Sequence, residues 1–94
     1  YPALLAQALI DDATARGLPL ALARRAVTQL LIGTGRFYEA TGEDPAETVQ
    51  GFVDYAGITA AALTEMRHAG LPEAVKAGLA AAVAKTAEMA GEGG

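Results

Sequence analysis

Residues Pro19 to Thr41, P-L-A-L-A-R-R-A-V-T-Q-L-L-I-G-T-G-R-F-Y-E-A-T, decide the fold of this chain. Ala23, Val27, Leu30, Thr34 and Phe37 recur at helical spacing on one face, and Leu31, Gly35 and Tyr38 on another. Leu30, Leu31 and Ile32 together point in three directions. A helix that is apolar nearly all round is buried on several sides. In a chain of 94 residues a second subunit is the simplest cover. Pro19 opens this helix near its first turn, where a missing N–H costs nothing, and Gly42 closes it. Gly33 and Gly35 lower helix propensity, a sacrifice that a closely approaching second helix would explain.

Helix signals continue on both sides. A first helix is expected from Pro2 to about Arg16, with Leu5, Ala8, Leu9 and Ala13 inward and Gly17 as its C′ residue. A third has the clearest start: Asp44 as N-cap, Pro45 at N1 and Glu47 three places after the cap, running to Val53 or Asp54. Asp54-Tyr55-Ala56-Gly57-Ile58 then reads as a tight connection. Thr59 is expected to N-cap a fourth helix that turns Ala62, Leu63 and Met66 inward and stops at Gly70. Pro72 and Glu73 open a fifth, whose stripe is Val75, Leu79, Ala82, Val83, Thr86 and Ala90, before a tail, Gly91-Glu92-Gly93-Gly94, expected to fray. No run of alternating β-branched residues reads as a strand. The expectation is an all-α bundle of about five helices, one domain over residues 1–94, intertwined with a second copy as a homodimer.

Composition narrows the function classes. Hydrophobic residues make up 52% and charged residues 19%, enough to fold. The apolar content is mainly alanine and leucine with 5% aromatics, so a one-chain core is thin, and small domains of that kind gain stability by oligomerising. A net charge of -4 and a pI near 4.8 argue against nucleic acid, whose phosphates need a basic face. No stretch approaches the roughly 18 uninterrupted apolar residues of a membrane span. No basic n-region with an apolar h-region reads as a signal peptide. With no cysteine, a cytoplasmic setting is the expectation. The opening Tyr1 in place of a methionine fits a domain cut from a longer chain.

Catalytic constellations are scarce. One histidine, His68, and no cysteine disfavour a transition-metal site, so no metal is assigned. There is no serine for a Ser-His-Asp arrangement. Gly33-Thr34-Gly35 lies inside a helical pattern, lacks a third glycine and follows no strand, so it is not a dinucleotide fingerprint and no cofactor-binding residue is assigned. Glu43, Asp44 and Glu47 read as a solvated helix start, and Arg24 and Arg25 as a solvated face. The segment from Asp54 to Thr59 is the exception. Free N–H groups at a helix N-terminus beside a threonine hydroxyl make a ready carboxylate site, and Gly57 permits a close backbone approach or a positive φ. An ordinary capped turn explains the same residues, and the pattern by itself names no function.

Several ordered segments resemble the pyrroline-5-carboxylate reductase family. These are Leu31-Ile32-Gly33-Thr34-Gly35-Arg36, then Glu39 to Glu47 with its Thr41-Gly42-Glu43 and Pro45, then Asp54-Tyr55-Ala56-Gly57-Ile58-Thr59, Ala62-Leu63-Thr64-Glu65-Met66 and Ala69-Gly70-Leu71. They fall in register without gaps over residues 15–90. The resemblance implies the C-terminal dimerisation domain of an enzyme that reduces 1-pyrroline-5-carboxylate to proline with NADPH or NADH. The nucleotide would sit on an N-terminal Rossmann domain outside this chain. This domain would supply dimer contacts, within a homodimer or a higher oligomer, and part of the substrate pocket. The family's Ser-Pro-Gly-Gly-X-Thr turn contacts the ligand carboxylate, which puts Thr59, Gly57, Ile58 and Asp54 forward as substrate-binding residues and leaves the catalytic residues unassigned. Here the serine is replaced by Asp54, the proline by Tyr55 and the first glycine by Ala56, so a paralogue acting on another cyclic imine is an alternative. Two further alternatives are a non-catalytic helical dimerisation module and a hydroxyacid-type dehydrogenase domain. The last usually carries a catalytic lysine on a long helix, and no lysine precedes Lys76.

Overall fold

The computed structural model describes residues 1–93, and side-chain environments through residue 91. It contains five α-helices, α1 Pro2–Ala15, α2 Leu20–Thr41, α3 Pro45–Tyr55, α4 Ile58–His68 and α5 Leu71–Gly93, and no strand among the described residues. By internal contact the chain divides into two units, Tyr1–Glu43 and Asp44–Gly94.

In the first unit α1 packs on α2. The helix α1 ends in a Schellman motif: Leu18 N–H reaches Ala13 O at 3.0 Å and Gly17 N–H reaches Thr14 O at 3.0 Å, with Gly17 at φ +104°. The half-buried face of α1 is Ala6, Leu9, Ile10, Ala13 and Thr14. Leu5 and Ala8, expected inward, face out, because the pairing with α2 selects a stripe rotated by about one residue. On α2, Pro19 is the N-cap rather than the first helical residue. Ala23 (1% exposed) and Val27, one turn apart, are the residues of α2 that become buried. Beyond Val27 the helix is exposed except at Tyr38, which is half-buried. Leu30, Leu31, Ile32 and Phe37 are all exposed, Leu30 at 53%. A Cβ at Gly33 or Gly35 would meet nothing within 4 Å beyond its own helix backbone and chain neighbours, so within the first unit no other helix uses the close approach those glycines allow.

In the second unit α3 pairs with α4, and α4 with α5. The Asp44 carboxylate caps α3 by accepting from Ala46 N–H at 3.0 Å. Val49 and Val53, one turn apart, are half-buried, as is Leu63 on α4, and Ala60 is buried. Ala62 and Met66 are exposed, contrary to the expected inward stripe. α4 stops at Ala69, with Gly70 at φ +94°. On α5 every residue from Leu71 to Gly91 is exposed, including Val75, Leu79 and Val83 (70%). Gly91 and Gly93 continue this helix where fraying was expected, carried on the alanine-rich turns before them, and Gly94 lies outside the described residues.

Only Ala23, Val27 and Ala60 among the described residues are buried. The chain leaves 7427 Å² accessible. A compact monomer of its mass would expose about 5,000 Å², and two separate half-size units together about 6,000 Å². The surplus of well over 1,000 Å² per chain includes leucine, isoleucine, phenylalanine and valine faces that a stable lone domain would bury.

Candidate functional site

The connection between α3 and α4 is shorter than the sequence suggests. α3 runs through Asp54, one of its two expected ends, and on through Tyr55, which belongs to the expected connection, so only Ala56 and Gly57 are non-helical. Ala56 closes α3: its N–H lies 3.3 Å from Phe52 O and 3.1 Å from Val53 O. It takes the left-handed conformation, φ +59° and ψ +34°, and is the one non-glycine residue with positive φ among those described. For an L-residue with a Cβ this costs about 1–2 kcal/mol. Of the two uses open to Gly57, a close approach or a positive φ, the structure has the first: it sits at φ −96° and ψ −157°. Its lack of a side chain serves a contact: a Cβ there would lie 3.1 Å from Cδ1 and Cε1 of the Tyr55 ring.

Gly57, not Thr59, is the N-cap of α4. The reason is the position of the αL residue. With Ala56 reversing the chain, Gly57 is the last extended residue, and its carbonyl already accepts from Ala61 N–H at 3.2 Å. Thr59 is thus the second residue inside the helix and makes no cap hydrogen bond. The N–H groups of Ile58, Thr59 and Ala60 then have no carbonyl within α4 to reach. These three residues, with Phe52, Tyr55 and Gly57, line a cleft of about 450 Å³. The lining is mostly apolar, and Tyr55 and Thr59 are the lining residues that carry a hydroxyl. Ile58 (93% exposed) and Tyr55 (84%) leave it accessible.

Its electrostatics favour an anion. The aligned peptide dipoles place about half a positive charge at the start of α4. No acidic residue lies in the first turn of α4, and Arg67 occupies its last turn, where it complements the opposite pole. Asp54 is not in the cleft wall. Its Oδ1 accepts from Gln50 Nε2 at 2.7 Å, one turn back along α3. The structure therefore gathers Gly57, Ile58 and Thr59 in one cleft and sets Asp54 beside it. Sequence reading did not anticipate Phe52 and Ala60 in the wall. The signal for Phe52 was its spacing from Tyr55, one turn along a helix assumed to end sooner. Among the described residues no cluster of three or more histidine or carboxylate side chains could hold a metal ion.

The family model for pyrroline-5-carboxylate reductase dimerisation matches residues 1–89. The chain belongs to that family. Among known proteins it is similar to pyrroline-5-carboxylate reductase 3 of Xenopus laevis, 35% identical over 95% of this chain and 32% of that protein. It is also similar to the pyrroline-5-carboxylate reductase of Synechocystis sp., 29% identical over 95% of this chain and 33% of the relative. A third relative, the pyrroline-5-carboxylate reductase of Corynebacterium melassecola, is 32% identical over 76% of this chain and 26% of its own length. The chain thus spans about a third of the relatives that it matches over most of its length. No solved structure matches it. The family is one of dimerisation domains, and α2 and α5 carry exposed apolar residues in this chain. The turn pattern also gains a physical reading. Its first glycine falls on Ala56, the αL residue, where glycine is free of strain.

Proposed function

We propose that this chain is the dimerisation and substrate-pocket part of an NAD(P)H-dependent enzyme that reduces 1-pyrroline-5-carboxylate to proline. The observation that carries the reading is the family match over residues 1–89, joined to a cleft built on the expected turn. In this reading two copies form a homodimer by packing α2, with Leu30, Leu31 and the open side of Gly33 and Gly35, and the uncovered length of α5. The ligand carboxylate sits at the start of α4, accepting from the N–H groups of Ile58 and Thr59 and from the Thr59 hydroxyl. The apolar ring rests against Phe52 and Ile58, and Gly57 lets it approach the backbone.

Nothing in this chain is assigned to the nucleotide. Pyrophosphate binding in such enzymes uses a glycine-rich turn from a strand into a helix, and the described residues contain no strand. The hydride belongs to the cofactor bound elsewhere in the parent protein, and the residues here bind and orient. The test is a coupled assay on the full-length parent, following NADPH and NADH oxidation with 1-pyrroline-5-carboxylate. Turnover supports the reading; a folded dimer that binds nucleotide but leaves this imine untouched would refute it.

A further inference from the structure

The proposed site has a like charge as its neighbour. Asp54 lies in the last turn of α3, next to Tyr55 and three residues before Gly57. A carboxylate free to swing toward the start of α4 would repel a ligand carboxylate and compete with it for the same N–H groups. Two like charges near a protein surface repel even through high-dielectric solvent, and salt weakens the effect.

The structure shows where that charge goes instead. Gln50 precedes Asp54 by four residues, so the two side chains are neighbours on the surface of α3. The 2.7 Å bond from Gln50 Nε2 to Asp54 Oδ1 is short for an amide donor, as expected when the acceptor is charged. Side chains on a helix lean toward its N-terminus, so this bond reinforces the direction that takes the carboxylate away from the connection. The cleft wall has Phe52, Tyr55 and Gly57 but not Asp54, which helix geometry already sets on another side of α3 from Phe52 and Tyr55; the bond to Gln50 fixes it there.

We propose that Gln50 is a positioning residue for substrate binding: by holding the Asp54 carboxylate back along α3, it lets the cleft at the start of α4 accept an anionic imine. The proposal rests on the reading of that cleft as a carboxylate site. It also explains how a chain with aspartate in place of the family's serine keeps a site for an acid.

The experiment uses the full-length enzyme. Gln50→Met keeps the length and helix propensity of the side chain and removes its N–H donor; Gln50→Glu keeps the shape and replaces the donor with a second carboxylate. KM and kcat are measured for 1-pyrroline-5-carboxylate and for 1-pyrroline, which lacks the carboxylate, at low and high salt. Gln50→Met should raise KM for the acid by up to about twofold at low salt, the most that a solvent-exposed i,i+4 side-chain bond can bias, with kcat held, and leave KM for 1-pyrroline in place. High salt should shrink the difference. Gln50→Glu should do more. Adding Asp54→Asn to Gln50→Met should bring KM back, which a merely structural role of Gln50 would not do. Equal KM values in wild type and both Gln50 variants, or a rise that Asp54→Asn does not relieve, would overturn the assignment to Gln50 alone. A wild-type enzyme inactive on 1-pyrroline-5-carboxylate would overturn the substrate reading and this proposal with it.

Discussion

Ala56→Gly is the substitution for which the structure permits a signed estimate. Ala56 holds φ +59° at the end of α3, a conformation that costs an alanine about 1–2 kcal/mol and costs glycine almost nothing. Against this gain stands the greater freedom of glycine in the unfolded chain, about 0.5–1 kcal/mol. The net expectation is a stabilisation of about 0.5–1 kcal/mol. At roughly 4–8 °C per kcal/mol for a domain of this size, Tm should rise by a few degrees. The assay is thermal unfolding followed by circular dichroism, with both proteins at one concentration because association shifts Tm. Ala61→Gly, inside α4, is the control and should lower stability by about 1 kcal/mol. If Ala56→Gly destabilises as much as Ala61→Gly does, Ala56 is not in the left-handed region and the geometry assigned to the connection is wrong.

The remaining expectations concern assembly and the site. Light scattering at micromolar concentration should give a dimer or a higher oligomer, and Leu30→Glu should abolish it and reduce helicity; a wild-type monomer would contradict the role given to α2. Gly35→Ala carries a sign that separates two cases: in a lone helix it stabilises by about 1 kcal/mol, whereas a partner helix seated at Gly35 makes it destabilising, and the concentration dependence of Tm shows which holds. Thr59→Val in the full-length enzyme should raise KM for the imine acid roughly ten- to a hundredfold, the loss of one hydrogen bond to a charged group. Since Thr59 makes no cap bond, stability should change by less than about 0.5 kcal/mol, and a large fall in Tm would reveal a structural role. Calorimetry of these 94 residues with NADPH should show no saturable binding; micromolar affinity would contradict the assignment of the nucleotide to the rest of the parent.

Helix identity was legible because each helix carries its own punctuation. Gly17, Gly42 and Gly70 take positive φ at or just past the helix ends, and Asp44 caps where an aspartate before a proline should. What could not be read was which side of each helix is covered. Leu5 against Ala6, or Met66 against Leu63, differ by a rotation that pairing decides and periodicity does not. The site was legible as a segment but not as geometry. A glycine is the conventional choice for positive φ, yet here an alanine adopts it, because the reversal falls one residue earlier and the Tyr55 ring lies over Gly57. That shift moved the cap from Thr59 to Gly57 and brought Phe52 into the wall. Asp54 could not be placed from sequence, since its orientation depends on the side-chain bond to Gln50.

The bare second half of α2 has a consequence for the life of a newly made chain. From Leu30 onward the helix offers leucine, isoleucine and phenylalanine to whatever it meets first. Under the dimer reading proposed above, those residues stay open to proteases until a second copy covers them, so a variant that slows association should shorten the lifetime of the protein as well as lower its Tm.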